Sequence, residues 1–247
     1  MKTNLLMLFI FYIGICKAQD VTDHVGAINI TPIEHASLVI SSKNHTIFVD
    51  PVNHTDQFNK FGTPDLVFIT DIHGDHMSAK TLERLKLSTA KLIVPQAVAD
   101  KLPTSLKNQL IILNNGDVKK INDVKVAAIP MYNLPESTDA FHTKGRGNGY
   151  VITIKNKRIY ISGDTEDIPE MRALKNIDIA FVCMNLPYTM TVEQAASGVL
   201  AFAPKIVYPY HYRGTDGMSD VAKFKSLVQK KNAKIDVRLK NWYPKKP

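Results

Sequence analysis

The chain has 247 residues, of which 45% are hydrophobic, and a formal net charge of +8 at pH 7. This length suits one domain with a full hydrophobic core. The Lys and Arg residues are scattered and form no basic stripe with interleaved aromatic residues, which argues against a nucleic-acid partner.

The first predicted element is a short apolar segment. Lys2 precedes an apolar run over residues 5–16, and the small residue Ala18 follows it, a pattern typical of a secretory signal peptide. The run is too short to span a bilayer comfortably. We therefore expect residues 1–18 to be removed, leaving one secreted or periplasmic domain over residues 19–247 that is not stably inserted in a membrane. Lipidation of the cysteine that ends the run ranks second, because the residue before it is not small.

Short extended segments and amphipathic helices alternate along the rest of the chain. The predicted strands cover residues 27–31, 37–41, 46–50, 66–69, 92–94, 118–128, 150–162 (a hairpin), 177–184 and 205–209. The predicted helices cover residues 78–86, 191–202 and 220–230. Ser78 is a candidate cap of the first helix, and Thr191 with Gln194 forms a capping box at the start of the second. Two runs of hairpins, each followed by strand and helix units, predict an α/β sandwich of two sheets with helices outside.

The most informative segment directly follows the strand at residues 66–69. It reads TDIHGDH and contains four potential metal ligands: Asp71, His73, Asp75 and His76. Imidazole and carboxylate groups bind zinc and similar metals, and a loop at a buried strand end is held rigidly. The alternative is an ordinary polar loop, since Asp, Gly and His are also common in tight turns.

Two later strand ends carry similar residues. Asp164 follows a strand in YISGDT, and His211 follows another in YPYHY. All three loops could meet at one edge of the sandwich and form a metal site. The alternatives are a helix cap for Asp164 and a packed core residue for His211.

The order of these motifs resembles the metallo-β-lactamase superfamily, and more narrowly its metal-dependent hydrolases rather than true β-lactamases. The segments AIPMYN, FHTKGRGNGYVI, IYISGDTEDIPEM and LPYTMTVEQAA add to the resemblance, which covers residues 25–215. It implies an αββα fold with two adjacent divalent metal ions at the sheet edge. Zinc is the first expectation, with manganese or iron as alternatives.

The resemblance also assigns roles to individual residues. The family's first loop usually reads H-x-H-x-D-H, so Asp71 stands where a histidine is usual. Asp164 takes the place of the carboxylate that bridges the two ions, and His211 that of the last ligand of the second site. Asn133 stands in the place of a further histidine, which His142 could replace; the alternative for His142 is a contact with substrate.

The expected activity follows from this ligand set. Asp71, Asp75 and Asp164 contribute three negative charges against four positive charges of two divalent ions, and a bridging hydroxide would neutralise the difference. With Asp75 and Asp164 as catalytic residues, we expect an exported dinuclear hydrolase in which a metal-bound hydroxide attacks an ester-type bond, in a lactone or a phosphodiester. The alternative is a metal-binding protein with a degenerate first site and little catalysis. β-Lactam hydrolysis is disfavoured because those enzymes lack the bridging aspartate.

A small-molecule substrate is expected to contact residues around this centre. The candidates are Asn133, Lys144, Arg146, Tyr188 and Tyr212. Lys144 and Arg146 could attract an anionic group, although a solvated surface loop is the alternative. The tyrosines could position substrate or serve only in packing. Cys183 lies in an apolar run and is expected to be a buried free thiol.

Overall fold

The computed structural model describes residues 22–243, so the predicted signal peptide lies outside the described residues. Two seven-stranded sheets dominate this part of the chain. The strands of the first sheet, in spatial order, are β1 (Asp23–Val25), β2 (Ile28–Glu34), β3 (Ser37–Ser42), β4 (His45–Val49), β5 (Leu66–Phe68), β6 (Lys91–Val94) and β7 (Leu110–Ile112). Strands β1 to β4 pair antiparallel, and β4 to β7 pair parallel.

The second sheet repeats this arrangement with the later part of the chain. Its strands are β8 (Val118–Ile121), β9 (Val124–Met131), β10 (Gly147–Ile154), β11 (Lys157–Ile161), β12 (Ile179–Val182), β13 (Ile206–Pro209) and β16 (Asp236–Val237). Strands β8 to β11 pair antiparallel, and β11, β12, β13 and β16 pair parallel. A separate small hairpin consists of β14 (Arg213–Gly214) and β15 (Gly217–Met218).

Helices connect and cover the strands. They are α1 (Thr55–Asn59), α2 (Ala79–Arg84), α3 (Gln96–Lys101), a 3-10 helix (Thr104–Gln109), α4 (Pro169–Arg172), α5 (Val192–Phe202) and α6 (Val221–Lys231). The predicted caps are confirmed: Ser78 accepts a hydrogen bond from the Thr81 amide, and Thr191 with Gln194 makes both bonds of a capping box. The sequence did not predict the short helices α1, α3 and α4, because one or two turns are too few to show helical periodicity. Among the described residues, no helix has the length and apolar character needed to cross a bilayer.

The buried hydrophobic residues form two clusters. The larger cluster joins apolar side chains of both sheets with those of α4, α5 and α6, and it contains Cys183 as a buried free thiol. The second cluster packs α2 and α3 against the outer face of the first sheet, through residues such as Leu82 and Val98. Two sheets with helices outside form the predicted αββα sandwich, so the predicted fold class is confirmed.

The sandwich brings the loops with polar side chains to one edge. Those loops follow β5, β11 and β13, which lie in the parallel parts of their sheets. Gly163 makes the turn after β11 possible, since its backbone has a φ of 60° and a Cβ there would lie 2.6 Å from the sulfur of Met131. Glycine meets both conditions without strain or movement of Met131, and this turn directs Asp164 inward.

Candidate metal centre

Histidine and aspartate side chains converge at this edge in three groups. Within each group, one ligand atom from every residue lies within 4.8 Å of the others. The groups are Asp71, His73 and His142; His76, Asp164 and His211; and His35, Asp75 and His211. Every residue predicted from the sequence as a metal ligand is present, and the loop after β5 supplies four of them. His35 is a further candidate, which no sequence motif indicated.

His76 and His211 form the most buried part of the centre. Their Nε2 atoms lie only 3.1 Å apart, and His76 Nδ1 lies 2.8 Å from the carboxylate of Asp50. Because an ionised carboxylate only accepts, His76 carries a proton on Nδ1 and points its Nε2 at His211. Two imidazole nitrogens at this distance must share either a proton or a cation. Burial alone would lower the pKa of His76, but Asp164 and Asp50 raise it well above its usual value.

Asp164 connects the groups. Its Oδ2 lies 3.2 Å from Nε2 of both His76 and His142, and its Oδ1 lies 3.3 Å from Nε2 of His211. Burial alone would raise the pKa of Asp164, but the neighbouring histidines hold it well below its usual range. His142 Nε2 and Asp164 Oδ1 are buried, and neither makes a well-aligned hydrogen bond within the described residues. Buried polar atoms are rarely left unpaired, so this set of imidazole and carboxylate donors fits a bound divalent metal ion.

Asp71, where the family usually has histidine, is engaged on both oxygens. Arg146 donates to Oδ1 from Nε at 3.1 Å and to Oδ2 from Nη2 at 3.0 Å. His73 Nδ1 lies 2.8 Å from Oδ2. Burial would raise the pKa of this carboxyl, but the contacts with His73 and Arg146 lower it to about 2. Arg146, a predicted substrate contact, therefore lies against a predicted metal ligand.

Asn133 supports His142. Its Oδ1 accepts a hydrogen bond from the His142 backbone N–H at 2.7 Å and lies 3.2 Å from His142 Nδ1. The Asn133 amide nitrogen donates to the carbonyl of Tyr188 at 2.8 Å. The asparagine that replaces a family histidine thus aims the Nε2 atom of His142 at Asp164, while its own amide groups are occupied by protein contacts.

A cavity of about 280 Å³ opens onto the centre. Its lining residues are His73, Asp75, Phe141, His142, Asp164, Asn185 and Tyr188. Phe141 is 50% exposed, and its ring meets that of Tyr188 edge-on at 4.9 Å between centroids. Of the residues predicted to contact substrate, Tyr188 therefore lies at the cavity. Lys144 pairs with Glu136 at 2.9 Å instead, and the Tyr212 hydroxyl donates to the carbonyl of Lys240, so neither lines the cavity.

A comparison with known proteins identifies the family to which this chain belongs. Residues 29–211 match the family model of the beta-lactamase superfamily domain. The chain belongs to the metallo-β-lactamase superfamily. The superfamily predicted from the sequence is therefore confirmed.

Similar members of the metallo-β-lactamase superfamily are described as metal-dependent hydrolases. One from Nanoarchaeum equitans is 31% identical over 185 residues, which cover 72% of this chain and 80% of that protein. A crystal structure from Parabacteroides distasonis, provisionally described as a metal-dependent hydrolase, has a TM-score of 0.75 and 40% identity and covers 86% of this chain and 92% of its own. The metallo hydrolase Igni18 from Ignicoccus hospitalis has a TM-score of 0.72 at 24% identity, with coverage of 88% and 96%. This metallo-β-lactamase-fold protein is thus a metal-dependent hydrolase.

Proposed function

We propose that this hydrolase binds two adjacent divalent ions, with zinc as the first candidate, and cleaves an ester-type bond. The position of the Asp164 carboxylate is the main support for this proposal. Its Oδ2 lies 3.2 Å from His142 of one group of ligands and 3.2 Å from His76 of another. A carboxylate in that position can serve two ions and offset their mutual repulsion.

The chemistry divides between the ions and the residues that hold them. Bound divalent ions supply a Lewis acid and bring the pKa of water toward about 7, so that hydroxide is available near neutral pH. Asp50 fixes the ring of His76 through Nδ1, and Asn133 fixes that of His142. Such outer contacts orient metal-binding histidines and raise their basicity.

The cavity favours a neutral ester, such as a lactone, over a phosphodiester. Both cationic side chains expected to attract phosphate already pair with carboxylates: Arg146 with Asp71, and Lys144 with Glu136. The outer wall is instead aromatic, formed by Phe141 and Tyr188. An uncharged substrate with an apolar substituent suits such a wall better than an anion does.

A second candidate is a protein that binds one ion and has little catalysis. The contacts of Asp71 favour this candidate, because a carboxylate that already binds the Arg146 guanidinium and the His73 imidazole is a weaker ligand for a metal ion. The test is zinc content together with hydrolysis of lactones, phosphodiesters and β-lactams by the zinc-loaded protein. About two ions per chain with lactone hydrolysis supports the first proposal. One ion without turnover of any of the three supports the second.

We also propose that the chain is exported, on the basis of Lys2, the apolar run over residues 5–16 and Ala18. N-terminal sequencing of the protein from its native host should give a first residue near Gln19. Intact Met1 in a cytoplasmic fraction would contradict export while leaving the hydrolase proposal untouched.

A further inference from the structure

We infer that His35 and Tyr243 form a hydrogen-bonded support that holds the carboxylate of Asp75 in position for a metal ion. His35 Nε2 lies 3.2 Å from Asp75 Oδ2, and His35 Nδ1 lies 2.7 Å from the hydroxyl of Tyr243. This makes His35 and Tyr243 positioning residues. The inference rests on the proposed function, because it takes Asp75 to be a metal ligand.

The protein holds the His35 ring in one place. His35 lies in the turn between β2 and β3, with a φ of 59°, a conformation that non-glycine residues seldom adopt. Its backbone N–H donates to the Trp242 carbonyl, and its carbonyl accepts from the His211 N–H, both at 3.2 Å. The ring centroid lies 3.8 Å from that of His211. Such backbone strain persists only where the surroundings fix it, and it is common at functional sites.

A backbone N–H group next to Tyr243 sets the direction of the hydrogen bonds that run from Tyr243 through His35 to Asp75. The Arg213 backbone N–H donates to the Tyr243 hydroxyl oxygen at 3.1 Å, which leaves the phenol proton of Tyr243 free to point at His35 Nδ1. A histidine that accepts at Nδ1 carries its proton on Nε2 when neutral. That proton faces Asp75 Oδ2, where a bare nitrogen would meet a carboxylate unfavourably. His35 is therefore a donor to Asp75, and its Nε2 lone pair is not available to a metal ion.

Tyr243 is held in turn by the residues around it. Trp242 is fully buried, and its ring lies 5.6 Å from that of Tyr210. Next to this anchor, the ring of Tyr243 packs edge-on against Tyr212 at 4.9 Å, and the Arg213 guanidinium covers it at 4.7 Å. The phenol therefore reaches His35 from a fixed position.

Asp75 needs such support more than the other carboxylates do. Its side chain is 42% exposed, whereas those of Asp71 and Asp164 are 0% and 3% exposed. An exposed carboxylate is free to rotate and to bind water. With Oδ2 held by His35, Oδ1 remains available for an ion on the side of His76, whose Nε2 lies 3.9 Å away.

The test is the affinity of the full mature chain for zinc and cobalt(II), measured by competition with a chelating indicator. Tyr243→Phe removes only the hydroxyl, and His35→Ala removes the donor to Asp75. We expect the affinity for one of the two ions to fall about 10-fold in the first variant and up to about 100-fold in the second, as for other outer contacts of metal sites. His35→Gln should restore part of the affinity, because its amide can donate from about the position of Nε2.

Tyr208→Phe is the matched control. It also removes a phenol hydroxyl that makes a hydrogen bond, but this hydroxyl donates to Asp23 at 2.6 Å, away from the metal centre. Its affinity for both ions should equal that of the wild type. Thermal unfolding of each metal-free variant checks that the protein is folded.

Three results would overturn the inference. Wild-type affinities in both Tyr243→Phe and His35→Ala would show that Asp75 needs no support. Loss of one whole equivalent of cobalt, with a changed cobalt absorption spectrum in His35→Gln as well, would make His35 itself a ligand. Absence of metal binding in the wild type would refute the proposed function, and the inference with it.

Discussion

Arg146→Ala directly tests the proposed first metal site, formed by Asp71, His73 and His142, in which Asp71 replaces the usual histidine. The guanidinium donates two hydrogen bonds to Asp71 and a third, at 2.6 Å, to the carbonyl of Phe141. The Asp71 side chain is fully buried. The substitution therefore leaves a buried negative charge with His73 as its nearest remaining partner.

The size of the effect follows from the pKa of Asp71. His73 and Arg146 together overcome burial and lower this pKa from 3.8 to about 2, which corresponds to about 2 kcal/mol of unfolding free energy at pH 7. Removing one partner of a buried ion pair costs about 3–5 kcal/mol, because the other charge stays buried. We expect metal-free Arg146→Ala to lose about 3 kcal/mol. The lowered pKa of Asp71 stabilises the folded state above pH 3.8, and this stabilisation is lost as the pH falls through 2. The difference in unfolding free energy between the variant and the wild type should therefore shrink in acid.

Urea unfolding of the metal-free protein at pH 7 measures this loss, and Lys144→Ala is the control. Lys144 lies in the same loop, but its ion pairs with Glu136 and Glu170 are partly exposed, so the urea midpoint should move far less than in Arg146→Ala. If an ion binds at Asp71, its charge replaces that of Arg146, and zinc should stabilise Arg146→Ala more than it stabilises the wild type. A wild-type midpoint for metal-free Arg146→Ala would refute the reasoning, because Asp71 would then carry no buried charge that needs a partner.

Three further predictions concern other parts of the chain. Asp164→Ala should lose at least one zinc ion per chain, and its rate of hydrolysis should fall at least about 100-fold. Asp167→Ala is the control and should keep its zinc and its rate, because the Asp167 carboxylate pairs with Arg172. Metal analysis and kinetics measure this, and unchanged zinc content and rate in Asp164→Ala would contradict the prediction. His142→Ala should lose the zinc ion of the first site. Asn133→Ala should lower the affinity for that ion only about 10-fold, because Asn133 acts through His142. Equal losses of affinity in zinc titrations of the two variants would contradict this difference. Burial raises the pKa of the Cys183 thiol to about 12, so iodoacetamide at pH 8 should modify this thiol only after unfolding. Mass spectrometry measures the modification. Rapid modification of the native protein would show that the thiol is accessible.

The sequence was most informative where a feature is local. The caps at Ser78 and Thr191 depend on side chains a few residues apart, and the fold class follows from strand and helix patterns along the chain. The spacing of ligands in the loop after β5 is likewise visible in one short segment. Such features need no knowledge of which loops meet in space.

The unpredicted parts of the site depend on contacts between distant segments. His35 lies in a short turn without any motif, and it reaches Asp75 and Tyr243 only because the fold joins positions 40 and 208 residues away. Arg146 lies in a loop whose sequence does not indicate that it pairs with Asp71, 75 residues earlier. The predicted strand ended at residue 31, whereas β2 runs to Glu34, so the strand end that places His35 at this edge was not visible in the sequence.

The long span of the site has a consequence for how the protein acquires its metal. The loop with Asp71 and His76 is synthesised long before His211 and Tyr243, so a nascent chain offers only part of the donor set. Half a set binds ions weakly and with little discrimination, because metal affinity arises together with folding. The complete set exists only after nearly the whole chain has been made and packed. If these residues hold the metal as proposed, the ions in the compartment where folding finishes decide which metal is taken up.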